Sequence, residues 1–404
     1  MKQKKIIYKD SIKINNNFSL KKKVNKKCLK ILDKIISDLD NTKDTFHSLS
    51  NKFKLNFTKN DLKNFRKFDT IVVVGMGGSI LGSKAIYHFL KKKIKKKFIF
   101  LDNINELNLD IIKSKKNLNK SLFIIVSKSG NTVETLSNLL ALKIVKRKSK
   151  NILIISEKNN NALYLLSKKF QLFHIEHKSY IGGRYSVLTE VGMVPAYLMG
   201  LNISKFRENL QIHFKNNNKI FLKESAIKIA HLLKKNKFKN LIFFNYIPQL
   251  DSFLDWAQQL IAESLGKKGK GFLPVISSAP KDHHSLLQLY LDGPKDKLFY
   301  IFSYDQDNKK KINSKIFGKK LEFLNNMSLD RIKKAQKDAF IETLKKKNIP
   351  FREFKIFDLS EKILGELFSY FMLETVIIGK LININPFNQP AVEQVKIRTE
   401  KNLS

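Results

Sequence analysis

Residues 70–90, TIVVVGMGGSILGSKAIYHFL, decide the predicted fold. The β-branched run at 71–74 has no polar alternation, which is typical of a strand buried on both faces of a parallel sheet. Three glycines follow within 75–78, and glycine lets the backbone turn sharply and approach a ligand closely. Ser79 is then predicted to cap a helix over 81–89. A strand, a glycine loop and a helix N-terminus together indicate a site for an anion.

The glycine loop matches neither of two familiar nucleotide motifs. A dinucleotide fingerprint needs a third glycine where Ile80 stands, although Asp102 lies roughly where a ribose-binding acid would follow. A nucleoside-triphosphate loop needs Gly-Lys-Ser, whereas the order here is Gly82-Ser83-Lys84. This stretch therefore leaves the anion open, and a tight strand-to-helix turn without a ligand is the alternative.

The composition is that of a globular protein, because 404 residues with 43% hydrophobic content can bury a large core in two or three domains. No apolar run reaches the roughly 18 residues of a membrane span. The N-terminal MKQKKIIYKDS has no signal-peptide core. A single cysteine, Cys28, cannot form an intrachain disulfide and fits a reducing compartment. We therefore expect a cytoplasmic protein without a membrane partner.

The net charge of +42 would suggest nucleic-acid binding if it came from arginine and interleaved aromatic residues. Almost all of it comes from lysine, which accompanies abundant Asn and Ile. These three residues have A/T-rich codons, so a biased genome explains the excess without a ligand. We expect solvated lysines, no nucleic-acid partner, and a diffuse positive field that attracts phosphorylated substrates.

Apolar runs alternate with helical stretches from residue 68 onward, which is typical of βαβ units in a parallel sheet covered by helices on both faces. The runs lie at 71–74, 98–101, 122–126, 152–155 and 172–175. Ligands of such sheets bind at the carboxyl ends of the strands. The rule points to the glycine loop and to the loop that follows Val126.

The second half repeats the α/β pattern beyond a boundary near Leu201. Its predicted strands are 241–244, 298–302 and 351–356, and its predicted helices are 224–235, 329–347 and 361–381. The Lys- and Asn-rich N-terminus contains one amphipathic segment at 24–39, which is predicted to pack as a helix on the second domain. The predicted division is therefore an N-terminal segment 1–50, a first domain 51–201, a second domain 202–390 and a C-terminal helix 391–404.

Residues 127–135, SKSGNTVET, are a second candidate anion loop. Two serines flank Lys128, and Asn131 or Thr132 opens the next helix. Hydroxyls, backbone N–H groups and a helix dipole can bind one phosphate without burying a lysine charge. A well-capped turn with no ligand is the alternative, since Ser, Gly and Asn are ordinary turn residues.

Arg184 stands in YIGGRYSVLTEVGMVPAYLMG, between two glycines and a helix predicted over 187–201. This helix is too apolar for the surface. An arginine in such a place suggests a role beyond solubility, and a structural ion pair is the alternative.

Three further stretches place polar pairs in the second half. Gln259 and Glu263 lie four residues apart, on one face of a helix. The motifs are DWAQQLIAESLGKKGKGFLP with Gln259 and Glu263, KDHHSLLQLYLDGP with His283 and His284 at a helix start, and NPFNQPAVEQVKIR with Glu393 and Lys396 on a short helix. Each is ordinary alone, and their significance comes from their occurring together.

Taken together, six of these motifs resemble the phosphoglucose isomerase family, and they follow the family's order from Gly75 to Lys396. The motifs are GMGGSILG, SKSGNTVET, GGRYSVLTEVG, QQLIAESLGKKGKG, DHHSLLQ and NPFNQPAVEQVK. The resemblance implies an α/β fold of two sugar-isomerase domains, each a mainly parallel sheet flanked by helices. It also implies a homodimer, a hexose phosphate substrate, and reversible conversion of glucose 6-phosphate to fructose 6-phosphate without a metal or cofactor.

The resemblance also implies a role for each motif. Glu263 would be the base that moves a proton between C1 and C2 through a cis-enediol, and Arg184 would stabilise the charge that develops on oxygen. His284, supplied by the neighbouring subunit, and Lys396 would open the sugar ring. The implied substrate-binding residues are Gly78, Ser79, Ser127, Lys128, Ser129, Thr132, Gly183 and Gln259.

Departures from the family pattern occur at Asn131, Asn388 and Ala391, where threonine, aspartate and glycine are usual. They are conservative in size, and every catalytic residue type is kept. A regulator that senses a sugar phosphate would keep the first two loops but has no need for Glu263, His284 and Lys396 together. Nucleic-acid binding through the basic surface is the third possibility, and it predicts affinity that falls steeply with salt.

Overall fold

Two five-stranded sheets form the framework of the structure, a computed structural model that describes residues 6–13, 18–114, 118–305 and 310–404. Residues 1–5, which begin the stretch without a signal-peptide core, lie outside the described residues, as do 14–17. The strands are β1 (Ile6–Asp10), β2 (Thr70–Val74), β3 (Lys97–Leu101), β4 (Ser121–Val126), β5 (Ile152–Ser156), β6 (Phe173–Glu176), β7 (Asn240–Asn245), β8 (Leu273–Ser278), β9 (Lys297–Tyr304) and β10 (Phe351–Ile356).

Helices cover both sheets, as the alternating pattern predicts. They are α1 (Phe18–Ser37), α2 (Leu81–Phe89), α3 (Glu106–Lys113), α4 (Val133–Leu142), α5 (Ala162–Phe170), α6 (Glu190–Leu198), α7 (Asn216–Lys235), α8 (Asp251–Leu265), α9 (Leu287–Asp292), α10 (Leu329–Lys346), α11 (Glu361–Leu381) and α12 (Pro390–Leu403). The predicted fold class, two mainly parallel sheets between helices, is confirmed.

The first sheet has the order β3-β2-β4-β5-β6 and is parallel throughout. Strand β2 pairs on both edges, and its residues from Ile71 to Val74 are at most 1% exposed. Burial on both faces is the physical reason for the unbroken β-branched run. The carboxyl ends of β2 and β4 are neighbours, so Gly75 and Ser127 follow adjacent strands.

The second sheet has the order β1-β10-β9-β7-β8, and only β1 is antiparallel. The first described strand therefore closes the edge of the sheet in the second half of the chain. Asp10 at its end lies 3.1 Å from the buried guanidinium of Arg352, which also contacts Glu374 at 2.5 Å. This contact fixes β1 on its neighbour, since a buried arginine needs charged or polar partners. The division of the chain at residues 50, 201 and 390 stays a prediction.

Helix α8 connects the two halves of the molecule. It packs on α2, which follows the glycine loop, and on α11, which is buried along nearly its whole length. Any side chain on the first-domain face of α8 is therefore held close to the carboxyl end of β2.

Two local predictions about the glycine and arginine loops are wrong. Ser79 does not cap a helix, because residues 77–79 form a 3₁₀ turn and α2 begins at Leu81 without a side-chain cap. The single helix predicted over 187–201 is broken into a 3₁₀ turn, Gly183–Leu188, and α6, with Thr189 between them. Gly192 permits this break: a Cβ there would lie 2.0 Å from the carbonyl oxygen of Val187.

Candidate active site

The two predicted anion loops lie side by side at the carboxyl edge of the first sheet. A Cβ built on Gly75 would lie 2.9 Å from the carbonyl oxygen of Val126 and 3.2 Å from the Cβ of Ser79. The backbone of the first loop therefore runs directly beside the start of the second. Because Gly75 has no side chain, Ser79 can approach the residues after β4 closely.

The second loop is a compact cluster of hydroxyls. The Oγ of Ser127 lies 2.8 Å from the Oγ1 of Thr132, and the backbone N–H of Gly130 donates to Ser127 at 3.1 Å. Thr132 is the N-cap of α4, which confirms the predicted helix start. Ser129 is exposed and accepts from the N–H of Asn131, and Lys128 Nζ lies 3.6 Å from Glu157 Oε1. Hydroxyls at a helix N-terminus can hold a phosphate without a buried lysine.

Arg184 is 4% exposed and all three of its guanidinium nitrogens donate hydrogen bonds. The acceptors are Ser264 Oγ at 2.9 Å, Glu263 Oε2 at 3.0 Å, Gln389 Oε1 at 2.9 Å, Pro386 O at 2.6 Å and Asn388 O at 3.2 Å. The ion pair that the sequence suggested as an alternative is present, and its partner is the predicted base. A guanidinium with this many partners is fixed in orientation.

Glu263 receives a second hydrogen bond on its other oxygen, from Gln259 Nε2 at 2.7 Å. This confirms that the two residues share one face of α8. The Glu263 side chain is 28% exposed, so a small molecule can reach its carboxylate. Gln259 touches the glycine loop, because a Cβ on Gly77 would lie 2.6 Å from its Nε2.

The glycine loop and the arginine loop are in direct backbone contact. A Cβ on Gly78 would lie 2.3 Å from the carbonyl carbon of Gly183 and 2.5 Å from the backbone nitrogen of Arg184. The indole Nε1 of Trp256 donates to the carbonyl of Arg184 at 3.1 Å, which ties α8 to the same loop. Five of the six motifs thus meet: those of Gly78, Ser127, Arg184 and Glu263, and the start of the last motif, whose Pro386, Asn388 and Gln389 accept from Arg184.

Neither His284 nor Lys396 contacts these groups within the described residues. His284 is exposed on a 3₁₀ turn, Lys281–His284, rather than at a helix start, and α9 begins later, at Leu287. Lys396 is exposed on α12 and pairs with Glu393 at 2.9 Å. The predicted helix that carries both is confirmed.

Sequence reasoning missed Tyr185, Ser264, Gln389 and Lys267. Tyr185 and Ser264 are fully buried beside Arg184 and Glu263, and their hydroxyls lie 2.9 Å apart. Only their position next to a predicted catalytic residue could have indicated them. Gln389 lies between the two prolines of the last motif, and no pattern in the sequence distinguishes it from an ordinary loop glutamine.

The chain matches the model of the phosphoglucose isomerase family over residues 15–402. It belongs to this family. A glucose-6-phosphate isomerase of Methanocaldococcus jannaschii is 36% identical over 83% of this chain and 84% of the relative.

Solved structures show that the family's fold is shared more widely. A glucose-6-phosphate isomerase of Chlamydia trachomatis superposes on this member of the phosphoglucose isomerase family with a TM-score of 0.78 at 17% identity. The alignment includes 99% of this chain and 88% of the other. The C-terminal domain of glucosamine-fructose-6-phosphate aminotransferase of Francisella tularensis superposes with a TM-score of 0.53 at 14% identity. That alignment includes 90% of this chain and 97% of the domain. The sugar-isomerase type of fold is thereby confirmed.

The described residues contain no cluster of three or more His, Cys, Asp or Glu side chains that could bind a metal ion. None of the helices in the part of the chain that the structure describes is long and apolar enough to cross a bilayer.

Proposed function

We propose that this chain interconverts glucose 6-phosphate and fructose 6-phosphate through a cis-enediol, with Glu263 as the base. The isomerase reaction, a step of glycolysis and gluconeogenesis, follows from the family and from relatives of the same name. The observation that carries the mechanism is the Glu263 carboxylate, 3.0 Å from a buried arginine and beside the glycine loop.

The chemistry requires one group that both accepts and returns a proton. A carboxylate can remove the proton from C2 of the aldose and deliver it to C1, or act in the reverse direction. Glu263 is partly exposed and held by Gln259, so its oxygens are accessible and oriented. The intermediate carries negative charge on oxygen, and Arg184 supplies a cation whose orientation is set before the substrate binds.

The phosphate binds, in this proposal, at the edge formed by the first two loops. Ser79, Ser127, Ser129 and Thr132 supply hydroxyls, and the N-terminus of α4 supplies backbone N–H groups and a favourable dipole. Lys128 contributes charge from the rim. Gly78 lets the glycine loop pack directly on the backbone of the arginine loop. A Cβ on Gly183 would meet nothing within 4 Å, so its absence leaves open space in which the sugar can reach Gln259 and Glu263.

Ring opening is assigned to Lys396 and to His284 of the partner subunit in a homodimer. Support comes from the exposed position of His284, which has no contact with Glu263 in the described parts of a single chain. Every residue of α12 is exposed, including Val395 at 66% and Leu403 at 72%, and such apolar side chains are typical of a surface that another chain covers. We place this dimer in the cytoplasm, with no nucleic-acid partner.

A coupled assay on fructose 6-phosphate in metal-chelating buffer tests the reaction itself. We expect the purified chain to form glucose 6-phosphate without added metal or nucleotide. Binding of the sugar phosphate without turnover would instead indicate a sensor. Absence of both would refute the proposal.

Mixing two inactive variants tests the shared site. His284→Gln and Glu263→Gln are each expected to be inactive as homodimers, because every site lacks one group. Co-expressed, they should regain about a quarter of the wild-type activity, since about half of the dimers are mixed and each of these holds one intact site. A mixture of Glu263→Gln with Arg184→Lys is the control and should stay inactive, because both changes lie on the same side of each site. If the first mixture also stays inactive, the partner does not supply His284.

A further inference from the structure

Residues 385–389, between α11 and α12, hold the guanidinium of Arg184. Three of its five hydrogen bonds end there, at the carbonyls of Pro386 and Asn388 and at the side chain of Gln389. The orientation of the cation therefore depends on where this loop stands relative to α8, which supplies Glu263.

Lys267 joins the loop to the end of α8. Its Nζ donates to the carbonyl of Asn385 at 2.8 Å and to the carbonyl of Ser264 at 3.0 Å. Ser264 also accepts from the Nε of Arg184, so the ammonium bonds the backbone of a residue whose side chain already holds the guanidinium. A second link is the hydroxyl of Tyr185, which donates to Pro386 at 3.0 Å.

A tight hairpin fixes the origin of the Lys267 side chain. The backbone groups of Lys267 and Lys270 bond each other in both directions, at 3.1 and 3.0 Å. Two other lysines of this turn, Lys268 and Lys270, are exposed, and neither side chain has a hydrogen bond or ion pair with the residues that the structure describes. The high lysine content of the chain therefore does not by itself explain why Lys267 contacts two carbonyl groups.

We propose that Lys267 is a positioning residue for the isomerase reaction: its ammonium ties the 385–389 loop to α8 and so sets the geometry of the Arg184–Glu263 pair. The proposal rests on the proposed function. Two carbonyl acceptors suit an ammonium, because charge-assisted hydrogen bonds are stronger than neutral ones. Without this tie the loop can shift, and the cation loses part of its preset orientation.

The charge of this tie is sensitive to alkaline pH. Burial lowers the pKa of Lys267 to about 8, and the positive charge of Arg184 adds to this effect, whereas Glu263 opposes it. The 385–389 loop has no titratable side chain, so it contributes only carbonyl and amide groups. The Lys267 side chain is a charged ammonium well below this pKa, and it loses its proton and its charge as the pH rises through it. The tie should therefore weaken above about pH 8.

The test compares Lys267→Met, Lys267→Arg and the matched control Lys268→Met on fructose 6-phosphate. Lys267→Met should lower kcat roughly tenfold and change KM by less than about twofold, because a shift of the cation affects the transition state more than phosphate binding. Lys267→Arg should keep most of kcat and move the alkaline fall of the wild-type profile to higher pH. Lys268→Met should match the wild type in kcat, KM and pH profile.

Several outcomes would overturn the proposal. If the wild type is active and Lys267→Met has the same kcat, Lys267 has no positioning role. The same conclusion follows if Lys268→Met loses as much kcat as Lys267→Met. Circular dichroism and thermal unfolding establish whether Lys267→Met is folded. If it is not, an alkaline limb in Lys267→Arg identical to that of the wild type overturns the proposal. An inactive wild type refutes the proposed function instead, so the two failures are distinguishable.

Discussion

Replacement of Glu263 by glutamine is expected to lower kcat about 10²- to 10⁴-fold, the range for loss of a positioned general base. Glutamine has nearly the same shape and can still accept a hydrogen bond from Gln259 or Arg184. It cannot accept the proton from a carbon atom, so the chemical step fails while the local structure is kept. KM should change little, because the proposed phosphate contacts lie on the loops after β2 and β4.

The matched control is Glu342→Gln, on the exposed side of α10. Its kcat, KM and thermal unfolding should equal those of the wild type. Single-turnover measurement of proton exchange at C2 of the sugar localises the defect of Glu263→Gln to the proton transfer. If this variant keeps turnover within about threefold of the wild type, far less than loss of a base costs, the base is another residue.

The framework was predictable from the sequence because parallel strands leave a strong signal. Each strand of the first sheet lies within one residue of its apolar run. The signal is strongest in the inner strands β2, β4 and β5, because burial on both faces demands an unbroken hydrophobic segment. The rule that ligands bind at the carboxyl ends then placed the first two loops next to each other. The pairing of Arg184 with Glu263 was predictable only from the resemblance to the family. The two residues are 79 positions apart, and no periodicity in the sequence indicates that they meet.

The remaining features depend on contacts that no local pattern encodes. Strand β1 is a short run in a lysine-rich terminus, and it forms because the edge of β10 accepts it. Strand β8 contains Pro274 and begins at an exposed Leu273, so its hydrophobic signal is weak. Lys267 is linked to the 385–389 loop through a backbone carbonyl, and Gln389 is linked to Arg184 through its side-chain amide oxygen. Both contacts can be recognised only once the chain has folded.

Replacement of Gly78 by alanine is expected to lower kcat/KM by about 10²-fold or more, because a displacement near 1 Å is enough for such a loss. The added Cβ would meet the backbone of Gly183 at 2.3 Å, whereas ordinary contacts begin at 3.4 Å. Its neighbours are backbone atoms, so no flexible side chain can move aside. The glycine loop must therefore separate from the arginine loop by about 1 Å, which is enough to misplace a catalytic group.

The same variant distinguishes a geometric effect on the site from simple destabilisation. Overpacking should lower the free energy of unfolding by about 1–3 kcal/mol, which leaves most of the protein folded at room temperature. The control is Gly182→Ala, since a Cβ there would touch, among the residues that the structure describes, only Tyr185 at 3.4 Å, and its φ of −64° suits any residue. This variant should keep both stability and kcat/KM. Normal activity in a folded Gly78→Ala protein would mean that contact between these loops does not set the geometry of Arg184, and with it the proposed arrangement of the site would fail.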